Sequence, residues 1–155
     1  MNSIKGRKPR SQAPDDARSV LVSIHARYAE LILGGHKSVE LRRRFDVSAA
    51  GSTLIIYATL PTAAVVGSAV VGAVERLPLR ELWDRHGPRT AVSAGDFARY
   101  FDGTQEGCAL LLSRPTRYER PIPLAELRAR HGINAPQSYL YLGDAHRDLV
   151  RHEQD

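Results

Sequence analysis

Apolar residues in this chain fall into short runs separated by turn-forming residues, and the period of the runs changes in a readable order. Residues 20–24 form a compact apolar run of strand length. Within 27–33, Tyr28, Leu31 and Ile32 recur at helical spacing before Gly34 and Gly35 stop the helix. Residues 38–45 then alternate, with Val39 and Leu41 on one face and Glu40, Arg42 and Arg44 on the other, the period of a half-buried strand. Gly51 turns the chain into a third strand over 53–59. Pro61 and Thr62 turn it into a fourth over 64–75, where Gly67 and Gly72 predict bulges or sharp bends.

Pro78 opens a helix with Leu79, Leu82 and Trp83 on one face. Ser93 caps a second helix carrying Phe97, Tyr100 and Phe101, which Gly103 ends. At helical spacing these aromatics read as packing residues before they read as stacking surfaces for bases. A fifth strand follows over 107–113 and extends to Tyr118 past an irregularity at Pro115. A short helix over 123–131 ends at Gly132, and a last short strand covers 138–142. The fold class expected is α+β, a small closed β-barrel with a helix after the first strand and a two-helix insertion. The chain divides into a flexible basic arm (1–18), one domain (19–143) and a charged C-terminal tail (144–155), helical or frayed.

Composition narrows the possibilities. The 155 residues, 43% of them hydrophobic, supply one genuine core and no second domain. The net charge of +5 favours phosphates, but Lys5, Arg7, Lys8 and Arg10 hold part of it, so the folded body is only mildly basic and charge alone assigns no partner. Cys108 is the single cysteine, which excludes an internal disulfide and a cysteine-based zinc cluster. Lying among Ala109, Leu110 and Leu111, it reads as a core residue. No apolar segment follows the basic N-terminus, so a cytoplasmic setting is expected rather than a secretory one. The run 47–74 carries no charge, but its glycines, serines, threonines and Pro61 break it, and its Val and Ile clusters suit two buried strands better than a membrane span. The six histidines form no HxxxH pair, and Gly34-Gly35 is not a phosphate-binding fingerprint, so neither metal nor cofactor is expected.

The densest polar cluster is Gly34 to Arg44. A glycine turn delivers Lys37 to the mouth of a strand on which Glu40 and Arg42 share a face. A carboxylate beside a guanidinium orients it toward a phosphate or base edge, and Lys37 adds a mobile point charge. A structural ion pair on a solvated strand is the alternative.

The stretch Ser23-Ile24-His25, Tyr28-Ala29, Ile32-Leu33 and then Gly35-His36-Lys37-Ser38-Val39-Glu40-Leu41-Arg42 resembles the ASCH domain signature, G-x-K-x-x-E-x-R after the first helix. Softer matches are Leu54 to Thr59, Leu82-Trp83, Tyr100-Phe101 and Pro136 to Tyr139, so the resemblance spans about 20–142. It implies a PUA-like barrel with a cleft between the first helix and the barrel that binds nucleic acid, RNA ahead of DNA, or a nucleotide-like small molecule. A role in transcription regulation is compatible with it. Lys37, Glu40 and Arg42 match the family positions facing that cleft. His25 and Thr59 are rim candidates, with Ser38 and Arg44 beside the motif. Tyr57 is a candidate for stacking on a ligand base. Gln137 and Ser138, fixed by Pro136, are candidates for the cleft mouth or simply a capped turn. The superfamily also contains amidohydrolases of N4-acylated cytidine that use a lysine, a threonine and a glutamate. Lys37 matches that lysine, but Glu40 stands where their threonine falls, with Ser38 as the nearby hydroxyl. Ribonuclease action on single-stranded RNA is the other enzymatic alternative, with Lys37 and Glu40 as its catalytic candidates. A protein-contact role for the insertion from Trp83 to Phe101 is the weakest reading.

Overall fold

Strands that are apolar on both sides must be covered on both sides. In β1 (Ser19–Ile24), Val20, Val22 and Ile24 enter one core cluster and Leu21 another. β3 (Thr53–Ala58) does the same, with Leu54, Ile56 and Ala58 opposed to Ile55 and Tyr57. The two strands pair in parallel from Ser19↔Thr53 to Ile24↔Ala58, so the chain between them crosses over. That crossover carries α1 (Ala26–Leu33) and β2 (Val39–Arg42). The computed structural model describes residues 18–151, so the basic arm expected over 1–18 lies outside the described residues except for Arg18, and so does the end of the tail.

With β4 (Ala64–Pro78), β5 (Glu106–Pro123) and β6 (Tyr139–Leu142), the sheet has the order β2-β5-β4-β3-β1-β6. The β4–β5 register slips between Val65 and Gly67, between Ser68 and Val70, and between Val71 and Ala73, around the bends expected at Gly67 and Gly72. At Gly67 the strands approach so closely that a Cβ would collide with the Thr116 carbonyl. β5 runs through Pro115 as one strand, with Arg114 in the left-handed region at φ 52° absorbing the irregularity.

The insertion folds as α2 (Leu79–His86) and α3 (Ala94–Tyr100), the latter capped by Ser93 Oγ, which accepts the Asp96 amide at 3.1 Å. Leu82, Phe97 and Phe101 of this segment bury against Val39, Leu41 and Ala109 of the sheet. On the opposite side, α4 (Leu124–His131) ends at Gly132, φ 66°, and contributes Leu127 to the second cluster. The tail docks there too: Leu149 in α5 (Arg147–Arg151) is fully buried, and its carbonyl accepts the Tyr118 hydroxyl at 2.8 Å. Cys108 is buried as expected. Among the described residues, no helix is long and apolar enough to cross a membrane.

One expectation needs correction. The sheet does not close into a barrel: β2 and β6 are its two edges, and no backbone ladder joins them. The outermost strands nevertheless lie side by side and are linked by side chains. Arg42 reaches Ser138, Phe45 packs on Tyr139 with ring centroids 4.4 Å apart, and the Tyr141 hydroxyl donates to Asp46 at 2.6 Å. β2 stops at Arg42, short of the expected 38–45, and Phe45 turns inward into the core, 3% exposed, rather than continuing the strand.

Candidate functional site

The candidate site grows out of the turn after α1. Gly35 takes φ 83°, a conformation that side chains disfavour, and the amides of His36 and Lys37 both donate to the Leu31 carbonyl, at 2.8 and 3.0 Å. This fold-back carries Lys37 under α1, where it is 2% exposed. Its Nζ donates to the Thr90 carbonyl at 2.5 Å, lies 3.5 Å from Glu40 Oε1 and sits 4.7 Å from the centroid of the Tyr28 ring. The other Glu40 oxygen is 3.4 Å from Arg42 Nη1. A buried carboxylate therefore stands between two cations.

Arg42 is largely committed to the protein. Nη1 donates to the Ser23 carbonyl at 3.0 Å, and Nη2 donates to Ser138 Oγ at 2.9 Å and to the Ser138 carbonyl at 3.4 Å. The guanidinium is thus a clamp across the open side of the sheet. Burial lowers the Lys37 pKa from its ordinary value, and the Glu40 charge and hydrogen bond partly offset that by favouring the ammonium.

Above this row opens a cleft of about 240 Å³. Its floor is Lys37, Glu40 and Arg42, with His25 and Tyr28 on one wall and Val92, Asp96, Phe97 and Tyr100 on the other. The second wall belongs to the insertion, which Arg43 ties to the strand: its amide donates to the Tyr100 hydroxyl and its guanidinium to the Tyr100 carbonyl, both at 3.2 Å. Although 41% of Tyr100 is exposed, desolvation is the main influence on its hydroxyl and raises its pKa, with Arg42 opposing. The cleft can hold one flat, polar-edged group between aromatic walls, with a carboxylate and an ammonium below it.

Of the residues singled out from the sequence, the cleft brings together His25, Lys37, Glu40 and Arg42. Ser138 reaches it only through Arg42, and Gln137 is exposed beside it. Ser38 and Arg44 are exposed and do not line the cleft. Thr59 is anchored near the rim, its amide donating to the Ile24 carbonyl at 2.9 Å. Tyr57 is corrected outright: it is 4% exposed in the second core cluster, on the other side of the sheet from Ile56, so it offers no face to this cleft. Phe97 and Tyr100, read from their spacing as packing residues before stacking surfaces, line the cleft together with Tyr28 and Asp96, which no pattern marks as site residues, and Thr90 acts through its backbone carbonyl, which no side-chain pattern reveals.

The family model described as "ASCH domain" matches residues 22–121. A curated protein of Zymomonas mobilis named "ASCH domain-containing ribonuclease" is 34% identical over 128 residues, covering 82% of this chain and 86% of that one. The crystal structure of ASCH from Zymomonas mobilis superposes with a TM-score of 0.80 at 31% identity, covering 86% of this chain and 94% of that one. The N-terminal domain of Staphylothermus marinus McrB shares the fold alone, with a TM-score of 0.55 at 10% identity and coverage of 94% and 99%.

Proposed function

This chain belongs to the ASCH domain family, and from that premise we propose that it binds single-stranded RNA in the cleft between α1, β2 and α3 and cleaves it there. The observation that carries the reading is the Lys37–Glu40 pair on the floor of an aromatic-walled cleft. The similarity to a relative named a ribonuclease points to RNA as the polymer. The volume of about 240 Å³ lies below the usual range for drug-sized pockets, roughly 300–1,000 Å³, and suits a single unstacked base rather than a duplex.

In this reading one nucleotide enters between Tyr28 and Tyr100, its base against the Tyr100 wall and its ribose 2′-hydroxyl and 3′-phosphate turned down toward Glu40 and Lys37. The exposed Arg27, stacked 5.5 Å from the Tyr28 ring, and Arg43 at the opposite lip meet the flanking phosphates. Glu40 accepts the proton of the ribose 2′-hydroxyl as that oxygen attacks the neighbouring phosphorus. The bond to the 5′-oxygen breaks, and Lys37 delivers the proton this leaving oxygen needs, giving a 2′,3′-cyclic phosphate and a 5′-hydroxyl end. A depressed pKa makes the Lys37 ammonium a better proton donor than an ordinary lysine. DNA has no 2′-hydroxyl and is not cut. The nucleoside amidohydrolase alternative is not adopted, because Ser38 is exposed and outside the cleft.

The test uses end-labelled single-stranded RNA with the full chain. The parent yields cyclic-phosphate ends, and Glu40→Gln and Lys37→Met abolish them. Arg27→Ala with Arg43→Ala weakens binding and flattens its salt dependence by about 0.7 per phosphate contact removed. Binding without cleavage would leave a reader module and overturn the ribonuclease assignment, and absence of binding would overturn both.

A further inference from the structure

His86 is 3% exposed, lies outside the cleft and takes no part in the chemistry above. Its two ring nitrogens have opposite neighbours. Nε2 is 2.8 Å from Glu75 Oε1, and Nδ1 is 2.8 Å from Nη2 of Arg89. A guanidinium has no lone pair to offer, so Nδ1 must be the acceptor. With Nδ1 accepting from Arg89, Nε2 is the nitrogen placed to donate to Glu75.

What this bond holds is the single 3₁₀ turn Gly87–Arg89. Thr90 closes the turn with its amide and hydroxyl on the Gly87 carbonyl, at 3.1 and 2.7 Å. The carbonyls of Arg89 and Thr90 then face the segment leading into β2: that of Arg89 accepts the Ser38 amide at 3.1 Å, and that of Thr90 accepts Lys37 Nζ at 2.5 Å. From this geometry we infer that His86 is a positioning residue for Lys37. Anchored on β4 through Glu75, it pins Arg89, Arg89 fixes the turn, and the turn presents the carbonyl that aims the buried ammonium beside Glu40. A buried lysine needs such an anchor, because its flexible stem otherwise lets the charge wander out of line. The inference rests on the cleft reading only where it predicts catalysis. The placement of Lys37 is testable without RNA.

The experiment follows the Lys37 ammonium by heteronuclear NMR in the full-length protein and measures exchange of its protons with water. The parent should show a slowly exchanging signal. His86→Leu should speed exchange about tenfold, the loss of one charge-assisted hydrogen bond. His86→Gln, which can still accept from Arg89 and donate to Glu75, should restore it. Should His86→Leu fail to fold, Arg89→Ala removes the same bond from the exposed side, together with the 3.2 Å bond from Arg89 to the Arg85 carbonyl, and should accelerate exchange at least as much. Parent-like exchange in a folded His86→Leu or in Arg89→Ala would overturn the inference. In the RNA assay His86→Leu should lower turnover with little change in affinity, and His86→Gln should recover it. A parent that neither binds nor cuts RNA would refute the function proposed above while the ammonium still decides the role of His86.

Discussion

Replacing Glu40 with glutamine keeps its shape and removes its charge, which tests whether the row Lys37–Glu40–Arg42 is a buried electrostatic unit or an ordinary surface pair. Glu40 and Lys37 are 6% and 2% exposed. Glutamine offers one acceptor oxygen where the carboxylate offers two, and its amide nitrogen would point a donor at Lys37 or Arg42, which are donors themselves. Breaking a buried pair from one side costs about 3–5 kcal/mol, because the partner charge is left uncompensated. Exposed pairs measure at most about 1 kcal/mol, so Glu126→Gln, which breaks an exposed pair with Arg130, serves as the internal control. The pH dependence adds a second signature. The Glu40 carboxylate is what raises the Lys37 pKa against desolvation, so its removal should push that pKa further below 10.5. A lysine whose folded pKa is depressed binds fewer protons folded than unfolded between the folded value and 10.5. Stability therefore rises with pH across that interval, by up to 1.36 kcal/mol per unit. Urea unfolding of Glu40→Gln should show the loss at neutral pH and partial recovery on alkalinisation, more steeply than the parent. A variant within about 1 kcal/mol of the parent, with a parent-like pH slope, would refute the buried-unit argument.

Two further predictions concern the frame around the cleft. Gly107→Ala would gain about 0.5–1 kcal/mol from backbone entropy in an open strand, but its Cβ would lie 2.7 Å from Phe101 Cζ and 2.9 Å from Leu82 Cδ2. Overpacking of about 1–3 kcal/mol should win, and an unfolding midpoint at or above the parent's would contradict that sign. Tyr141→Phe removes the largest influence holding the Asp46 pKa at about 2. In the parent, Asp46 stabilises above its ordinary value of 3.8 and loses that contribution as pH falls toward 2. Tyr141, raised to about 12 chiefly by desolvation and then by Asp46, stabilises below 10 and loses its contribution as pH climbs through 12. The variant should have a shallower melting-temperature profile at both extremes and a higher Asp46 pKa by carboxyl-carbon NMR. An unmoved Asp46 titration would disprove the coupling.

Much of this architecture is legible in local patterns. The compact apolar runs in β1 and β3 announce strands buried on both faces, Ser93 announces the α3 cap, and Gly67 and Gly72 mark the bends of β4. The motif residues Lys37, Glu40 and Arg42 were likewise visible, but their assignments were not. Sequence spacing places Arg42 on the ligand side of a strand, whereas its guanidinium spans to Ser23 and Ser138, distant in the chain. Only tertiary closure creates those acceptors. Tyr57 misled for a related reason: an aromatic at the end of an apolar run fits either face of a strand, and it is the cluster formed with Tyr118 and Leu127 that decides which. The far wall of the cleft was hidden because Phe97 uses one side chain for two purposes, packing on the sheet and bounding the cavity.

Leaving the sheet open while its outer strands are held together by side chains has a consequence for how variants fail. Unpaired strand edges are templates for other chains, and here each edge is shielded by the other through Arg42, Phe45 and Tyr141. Arg42, which helps shape the floor of the cleft, is thus also part of the molecule's guard against self-association. Substitution at Arg42 should first announce itself as turbidity on warming or loss of yield, before any ligand is added, and an inactive Arg42 variant carries information about recognition only once it has been shown to be monodisperse.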